Sequence, residues 1–114
     1  YLKLNSNNQN IIDYLPDSIE ELVLDSNFNL ELNNLPSSLK KLTFNTKSVY
    51  HKELNCLPKN LELLQLPETY NLEIKNIPNG LKKVICYKDY EYIDNFTDLE
   101  VETYKREFEL DFYI

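Results

Sequence analysis

Few side chains in this sequence have the types and spacing needed for catalysis or metal binding. His51 is the single histidine, and Cys56 and Cys86 are the two cysteines of the 114-residue chain. Nucleophilic catalysis needs a base beside the attacking group, and a structural zinc site needs four sulfur or nitrogen ligands. One histidine and two distant cysteines satisfy neither requirement, so these residues predict neither an active site nor a metal centre.

Acidic neighbours such as Glu20 and Glu21 would be needed for acid–base chemistry or for calcium binding. Adjacent residues of a strand point to opposite faces, and the sequence lacks the DxDxDG run of a calcium loop. Gly80 is the only glycine, so a phosphate-binding glycine loop is excluded, and no GxSxG motif is present. We interpret the acids as solvated and predict a chain that is not an enzyme and takes no cofactor.

The net charge of −7 is concentrated at one end of the chain. Residues 88–114 hold nine acidic and three basic residues, a net −6, which leaves −1 for residues 1–87. Nucleic-acid binding by phosphate neutralisation needs a basic stripe, and a membrane helix needs about 20 apolar residues. The sequence has neither, so we predict no nucleic-acid partner and no membrane contact. The sparse cysteines favour a reducing, cytoplasmic location.

A ten-residue phrase with proline in second place occurs four times. It reads LPDSIEELVL from Leu15, LPSSLKKLTF from Leu35, LPKNLELLQL from Leu57 and IPNGLKKVIC from Ile77. The spacings are 20, 22 and 20 residues, and such a period is typical of a solenoid. We therefore predict one domain over residues 1–114, as a piece of a longer protein. Its units are a partial repeat 1–14, repeats 15–34, 35–56, 57–76 and 77–95, and a C-terminal repeat and cap 96–114.

Each phrase ends in an LxxLxL pattern whose last part alternates with period two, so each unit predicts one short strand with alternate side chains turned inward. About fourteen residues remain for the return, and the prolines favour an extended or 3₁₀ path. With one glycine, Asn and Asp are expected to make the turns, because they tolerate left-handed geometry and bond their own backbone. Near the end, Phe96, Leu99 and Val101 repeat the pattern of Leu81, Val84 and Cys86. EFELDFYI at 107–114 predicts a capping strand.

The repeat also accounts for the residues considered first. His51 occupies the same place after an aromatic residue as Asn29 and Asn71, so we expect it to bond neighbouring backbone. Cys86 falls in an inward place and is expected in the core. Cys56 falls in a turn and is expected to be partly exposed.

A second phrase resembles a known family. FNLELNNLP from Phe28, YHKELNCLP from Tyr50 and YNLEIKNIP from Tyr70 share their aromatic, aliphatic and proline places, and IEELVLDSN from Ile19 reads LxxLxLxxN. Together they resemble the FNIP repeat, a variant leucine-rich repeat abundant in social amoebae and in giant viruses of amoebae. The resemblance implies a right-handed leucine-rich-repeat solenoid, with one parallel β-sheet on the concave side and a mostly extended or 3₁₀ convex side. Because such repeats often follow an F-box, it also implies a substrate receptor of a ubiquitin ligase.

Strand residues between the inward leucines are expected to line up in columns on the other face of the sheet, a surface that repeat proteins commonly present to partners. The same residue types also suit strands without any binding role, and the sequence leaves that alternative open. We predict a non-catalytic protein–protein interaction module or, alternatively, a structural or self-assembling repeat protein. The predicted partner-binding residues are Glu21, Val23, Asp25, Lys41, Thr43, Asn45, Leu63, Gln65, Lys83, Ile85 and Tyr87.

Overall fold

The computed structural model describes residues 1–4 and 7–106. The protein is a parallel β-solenoid of about five turns, and the six strands within the described residues form one sheet in chain order. Every neighbouring pair is parallel, which confirms the predicted single sheet. The strands are β1 (Leu2–Leu4), β2 (Glu21–Leu24), β3 (Lys41–Phe44), β4 (Leu63–Gln65), β5 (Lys83–Tyr87) and β6 (Glu100–Tyr104).

The proline phrase builds the turn that leads into each of the strands β2 to β5. The proline carbonyl accepts a hydrogen bond from the N–H three residues later, at 3.1–3.3 Å in all four units. Proline holds the residue before it extended, and the two residues after it form the turn. The donating residue is the first aliphatic residue of LxxLxL. The phrase therefore recurs because each unit starts its strand in the same way; the donors are Ile19, Leu39, Leu61 and Leu81.

A second turn follows each of these strands, and after β2 and β3 it shows the predicted side-chain bonding but not the predicted left-handed backbone. The carbonyls of Asp25 and Asn45 accept from N–H groups three residues later. Their side-chain oxygens accept from the N–H groups of Ser26 and Lys47, both at 2.8 Å. Among the described residues, only Asp98 is a non-glycine residue with positive φ. Asp and Asn therefore suit these turns through their side-chain acceptors, not through left-handed backbone.

The two extra residues of the 22-residue unit are absorbed in the turn after β3. Ser48 donates its N–H to the Asn45 carbonyl at 2.9 Å, as aromatic residues do in the other units. Tyr50 follows two residues later and donates its N–H to Ser48 Oγ at 3.1 Å. Val49 between them is 64% exposed. The longer unit consequently leaves the strand register unchanged.

The core lies between the sheet and the return segments. Leu22, Leu42, Leu64 and Val84 are paired residue to residue across four strands, and all are fully buried. A second column runs behind them, with ring centroids 5.9–6.4 Å apart. Its members are Phe28, Tyr50, Tyr70, Tyr90 and Phe96. Each unit thus covers the apolar side chains of its neighbours, which a unit of 20 residues cannot do alone.

The two ends depart from the repeat. In the first unit the return contains the short helix α1 (Gln9–Asp13), and the Asn8 side chain accepts from the Asn10 N–H at 3.0 Å at its start. Elsewhere the described returns hold only one 3₁₀ turn, Ile93–Asn95, which agrees with the predicted low helix content.

The predicted alignment of the last repeat was wrong by two residues. Val101 pairs with Val84, and Thr103 pairs with Cys86, whereas the sequence pattern had placed Val101 opposite Cys86. The return before β6 is shorter than the others, and Phe96 stacks on Tyr90 with ring centroids 5.9 Å apart. Phe96 therefore ends the aromatic column and does not lead a strand. The predicted capping strand at 107–114 lies outside the described residues.

Candidate functional site

The sheet face opposite the core, called here the open face, carries the predicted partner-binding residues in aligned columns. Register places Glu21, Lys41, Leu63 and Lys83 side by side in one column. Val23, Thr43, Gln65 and Ile85 form the next. Both columns agree with the sequence prediction. They continue onto β6 through Glu100 and Glu102, which the misaligned last repeat had left out.

The third predicted column is only partly available. Asp25 and Asn45 follow their strands and use side-chain oxygens in the turns. Tyr87 is only 8% exposed. The guanidinium carbon of Arg106 lies 4.5 Å from its ring centroid, and the Tyr104 ring lies 6.4 Å away. Tyr87 therefore offers a partner little exposed surface, because Tyr104 and Arg106 cover the ring.

Gln65 lies on the open face, and its side chain also makes a hydrogen bond between neighbouring strands. In earlier units, the first residue after the strand donates its main-chain N–H to a carbonyl of the preceding strand. Asp25 donates to the Leu4 carbonyl at 2.9 Å, and Asn45 donates to the Leu24 carbonyl at 3.1 Å. The equivalent residue after β4 is Pro67, which has no N–H. Gln65 Nε2 donates to the Phe44 carbonyl at 3.0 Å instead. The side-chain amide thus replaces a missing main-chain donor.

Replacing Gln65 by leucine is expected to lower the free energy of unfolding by about 1 kcal/mol, because the Phe44 carbonyl loses its donor. Adding Pro67→Asn to this variant supplies a main-chain N–H at the same place and should recover most of the loss. Urea denaturation of the two variants and the wild type measures both effects. A Gln65→Leu variant as stable as the wild type, or a double variant without recovery, would contradict this assignment.

Charge is distributed unevenly over the open face. Lys83 Nζ lies 3.0 Å from Glu100 Oε2 and 3.1 Å from Glu102 Oε1, and its hydrogen bonds to these carboxylates raise the pKa of Lys83. Leu63 and Ile85 lie beside this cluster and are partly exposed. The face therefore has an apolar part at β4 and β5, next to a locally neutralised lysine and a negative edge at β6.

A shallow depression of about 300 Å³ lies on the open face over β1 to β4. It brings together five of the eleven predicted residues. They are Val23, Asp25, Thr43, Asn45 and Gln65, and Lys3 lies beside them. The lining is mostly polar side chains at the carboxyl ends of the strands, which suits hydrogen bonding to a polypeptide.

The remaining candidates are structural. The His51 main-chain N–H donates to Asn29 Oδ1 at 3.2 Å, so the bonding runs from backbone to the neighbouring unit's side chain. Cys86 is fully buried, as predicted, and burial raises the pKa of its thiol to about 11. Cys56 is exposed.

Residues 1–4 and 7–106 contain no group of three or more His, Cys, Asp or Glu side chains placed to hold a metal ion. In the same part of the chain, the helices are too short and too polar to span a bilayer.

Comparison with known proteins supports the repeat assignment. The family model of the FNIP repeat matches residues 2–47, which include β1, β2 and β3. No curated protein and no solved structure matches the chain. The resemblance noted in the sequence is thus confirmed over residues 2–47, which are similar to the FNIP repeat.

Proposed function

We propose that this chain is a non-catalytic protein-recognition module and that its open face binds another protein. The observation that carries the proposal is the unbroken parallel register of six strands. It sets corresponding side chains about 4.8 Å apart in straight columns. We further propose the right-handed leucine-rich-repeat geometry, with the open face on the concave side of the solenoid. Such a surface offers a partner a series of similar sites, one per unit.

The partner is expected to contact the apolar part of the open face most closely. Leu63 and Ile85 are partly exposed, with polar and charged residues on the strands around them. Protein interfaces commonly have an apolar centre inside a polar rim, and a few central side chains contribute most of the binding energy. We therefore propose that Leu63 and Ile85 anchor the partner, and that Lys41 and Gln65 contribute to the rim.

The proposal is tested by comparing what the wild type and two variants retain from an extract of its native cells, followed by titration of each recovered protein. The first variant carries Leu63→Glu and Ile85→Glu on the open face. The second carries Val49→Glu, at a residue that is 64% exposed in the turn after β3. A partner should bind the wild type and Val49→Glu equally and lose at least about tenfold in affinity, 1.4 kcal/mol, for the open-face variant. Equal affinity for all three proteins would refute the proposal.

As a more specific form, we propose a cytoplasmic substrate receptor of a ubiquitin ligase. Its support is the resemblance to repeats that follow an F-box, a fold-level analogy and not a feature of a site. The gene sequence upstream of these repeats provides the test. An F-box segment there would support this form, and an unrelated domain would argue against it.

A structural, self-assembling role is the second candidate, favoured by the exposed apolar side chains of the first unit. Four large hydrophobic side chains among the described residues are well exposed, and three of them lie in the first unit: Tyr1 at 78%, Ile11 at 47% and Tyr14 at 82%. Exposed apolar side chains grouped in one unit promote association between chains. Light scattering against concentration distinguishes the candidates, since assembly predicts growth and recognition predicts a monomer.

A further inference from the structure

A cleft of about 380 Å³ adjoins the open face where β5 ends. It lies between the turn after β4 and the turn after β5. Its walls include Glu68, Thr69, Tyr87, Asp89 and Glu91, and Arg106 lies across it. The cleft therefore combines an aromatic ring, carboxylates and small polar groups in one concave place.

The position of Arg106 shows that this cleft accommodates a guanidinium group beside the Tyr87 ring. Its guanidinium carbon lies 4.5 Å from the Tyr87 ring centroid, inside the range of a cation–π contact. Lys88 Nζ lies farther away, at 5.7 Å. The strand β6, which ends two residues before Arg106, is held in place because the Tyr104 hydroxyl donates to the Leu66 carbonyl at 2.6 Å, across β5. The ring of Tyr87 is covered by a cation from the same chain.

The charges around the ring favour a cationic occupant. Asp89 and Glu91 lie in the turn after β5, and Glu68 lies in the turn after β4. Lys88 bonds Asp89 at 2.9 Å, and Lys47 lies 4.0 Å from Glu68. Lys88 lowers the pKa of Asp89, and Arg106 contributes to the same shift. Residues 88–106 hold six acidic and three basic residues, a net −3, so a cation that replaces Arg106 meets an attractive field here.

We propose that the Tyr87 cleft is a guanidinium-binding site, that Arg106 occupies it in the free protein, and that an arginine of the protein partner displaces Arg106. The inference rests on the proposed function, because Tyr87 directly extends the open face beyond Ile85. Arginine is favoured over lysine because its planar, weakly hydrated guanidinium stacks on a ring and bonds carboxylates with two N–H groups. The partner segment would then place apolar side chains on Leu63 and Ile85 and an arginine on Tyr87.

The test uses a capped tetrapeptide of alternating isoleucine and arginine, titrated into the ¹⁵N-labelled protein. Counterparts with lysine or uncharged citrulline in place of arginine serve as controls. Arg106→Gln removes the guanidinium from the cleft, Arg106→Lys leaves a weaker occupant, and Arg106→Gln with Tyr87→Leu removes the ring as well. We expect the arginine peptide to shift the amide signals of Tyr87 and Asp89, with a dissociation constant about two- to five-fold lower for Arg106→Gln than for the wild type. The dissociation constant for Arg106→Lys should lie between those of Arg106→Gln and the wild type.

Equal binding by the wild type and Arg106→Gln would overturn the competition, and undiminished binding after Tyr87→Leu would overturn the site. If the citrulline peptide binds as tightly as the arginine peptide, the cleft is not a guanidinium site, because the charge then makes no contribution to binding. Amide signals of β2 and β3 report whether each variant remains folded; if Arg106→Gln does not, Arg106→Lys decides the competition. Failure of this inference leaves the proposed function intact if Leu63→Glu with Ile85→Glu still abolishes partner binding. If that binding is also unaffected, both fail.

Discussion

Replacing Leu64 by alanine is expected to lower the free energy of unfolding by about 2–5 kcal/mol, the largest effect expected of the substitutions considered. Leu64 is fully buried and is paired with Leu42 on one side and Val84 on the other. A cavity there removes contacts to the units above and below at once. Since a solenoid is stabilised largely by contacts between neighbouring units, a central position should be costlier than an end position.

Leu63→Ala is the matched control for this substitution. Leu63 is the adjacent residue of the same strand, it points to the open face, and it is partly exposed. Its truncation should cost less than about 1 kcal/mol, so chemically identical changes one residue apart should differ severalfold. Urea denaturation of both variants measures the difference. Similar losses at the two positions would mean that the alternation of β4 between core and open face has been assigned incorrectly.

Replacing Tyr50 by phenylalanine is expected to raise the free energy of unfolding by about 1–2 kcal/mol, whereas Tyr70→Phe should lower it by about the same amount. The Tyr70 hydroxyl donates to the Lys52 carbonyl at 2.9 Å, and the Tyr90 hydroxyl donates to the Leu72 carbonyl at 2.5 Å. The Tyr50 hydroxyl is buried and has no hydrogen-bond partner among the described residues. A buried polar group without a partner costs free energy that the deletion recovers.

The aromatic column itself indicates that the substitution fits. Phe28 occupies the equivalent place in the preceding unit, and its ring stacks on Tyr50 at 6.0 Å. Burial raises the pKa of Tyr50, with smaller contributions from Tyr70 and Glu31, so the hydroxyl stays protonated at ordinary pH and must be desolvated as a donor. Thermal or urea unfolding of the two variants checks the prediction. Equal destabilisation by both changes would show that the Tyr50 hydroxyl has a partner.

Much of the fold could be read from the sequence because the same local signals recur at a nearly constant period. Prolines at Pro16, Pro36, Pro58 and Pro78 mark where each strand begins, and alternation places the inward leucines. The two full columns of the open face on β2 to β5 then follow from register alone. Repetition made these predictions accurate, since an error in one unit would have conflicted with the other three.

The candidate site was less predictable where the repeat loses its markers. The last unit has no proline phrase before β6, and nothing local in the sequence signals that Val101 pairs with Val84. Glu100 and Glu102 were therefore missed as partners of Lys83. The acidic residues from position 88 onward indicated a negatively charged end of the chain. They did not indicate which basic residue would form ion pairs with them.

The sequence by itself determined the repeating unit and the division of strand residues between core and open face, because both depend on local turns and on period-two alternation. Only the tertiary structure decided that Arg106 covers Tyr87 and that the Gln65 side chain replaces the N–H missing at Pro67. Both depend on contacts between different units or strands. Such contacts follow from the shape and spacing of the stacked units, which no single unit's residues specify.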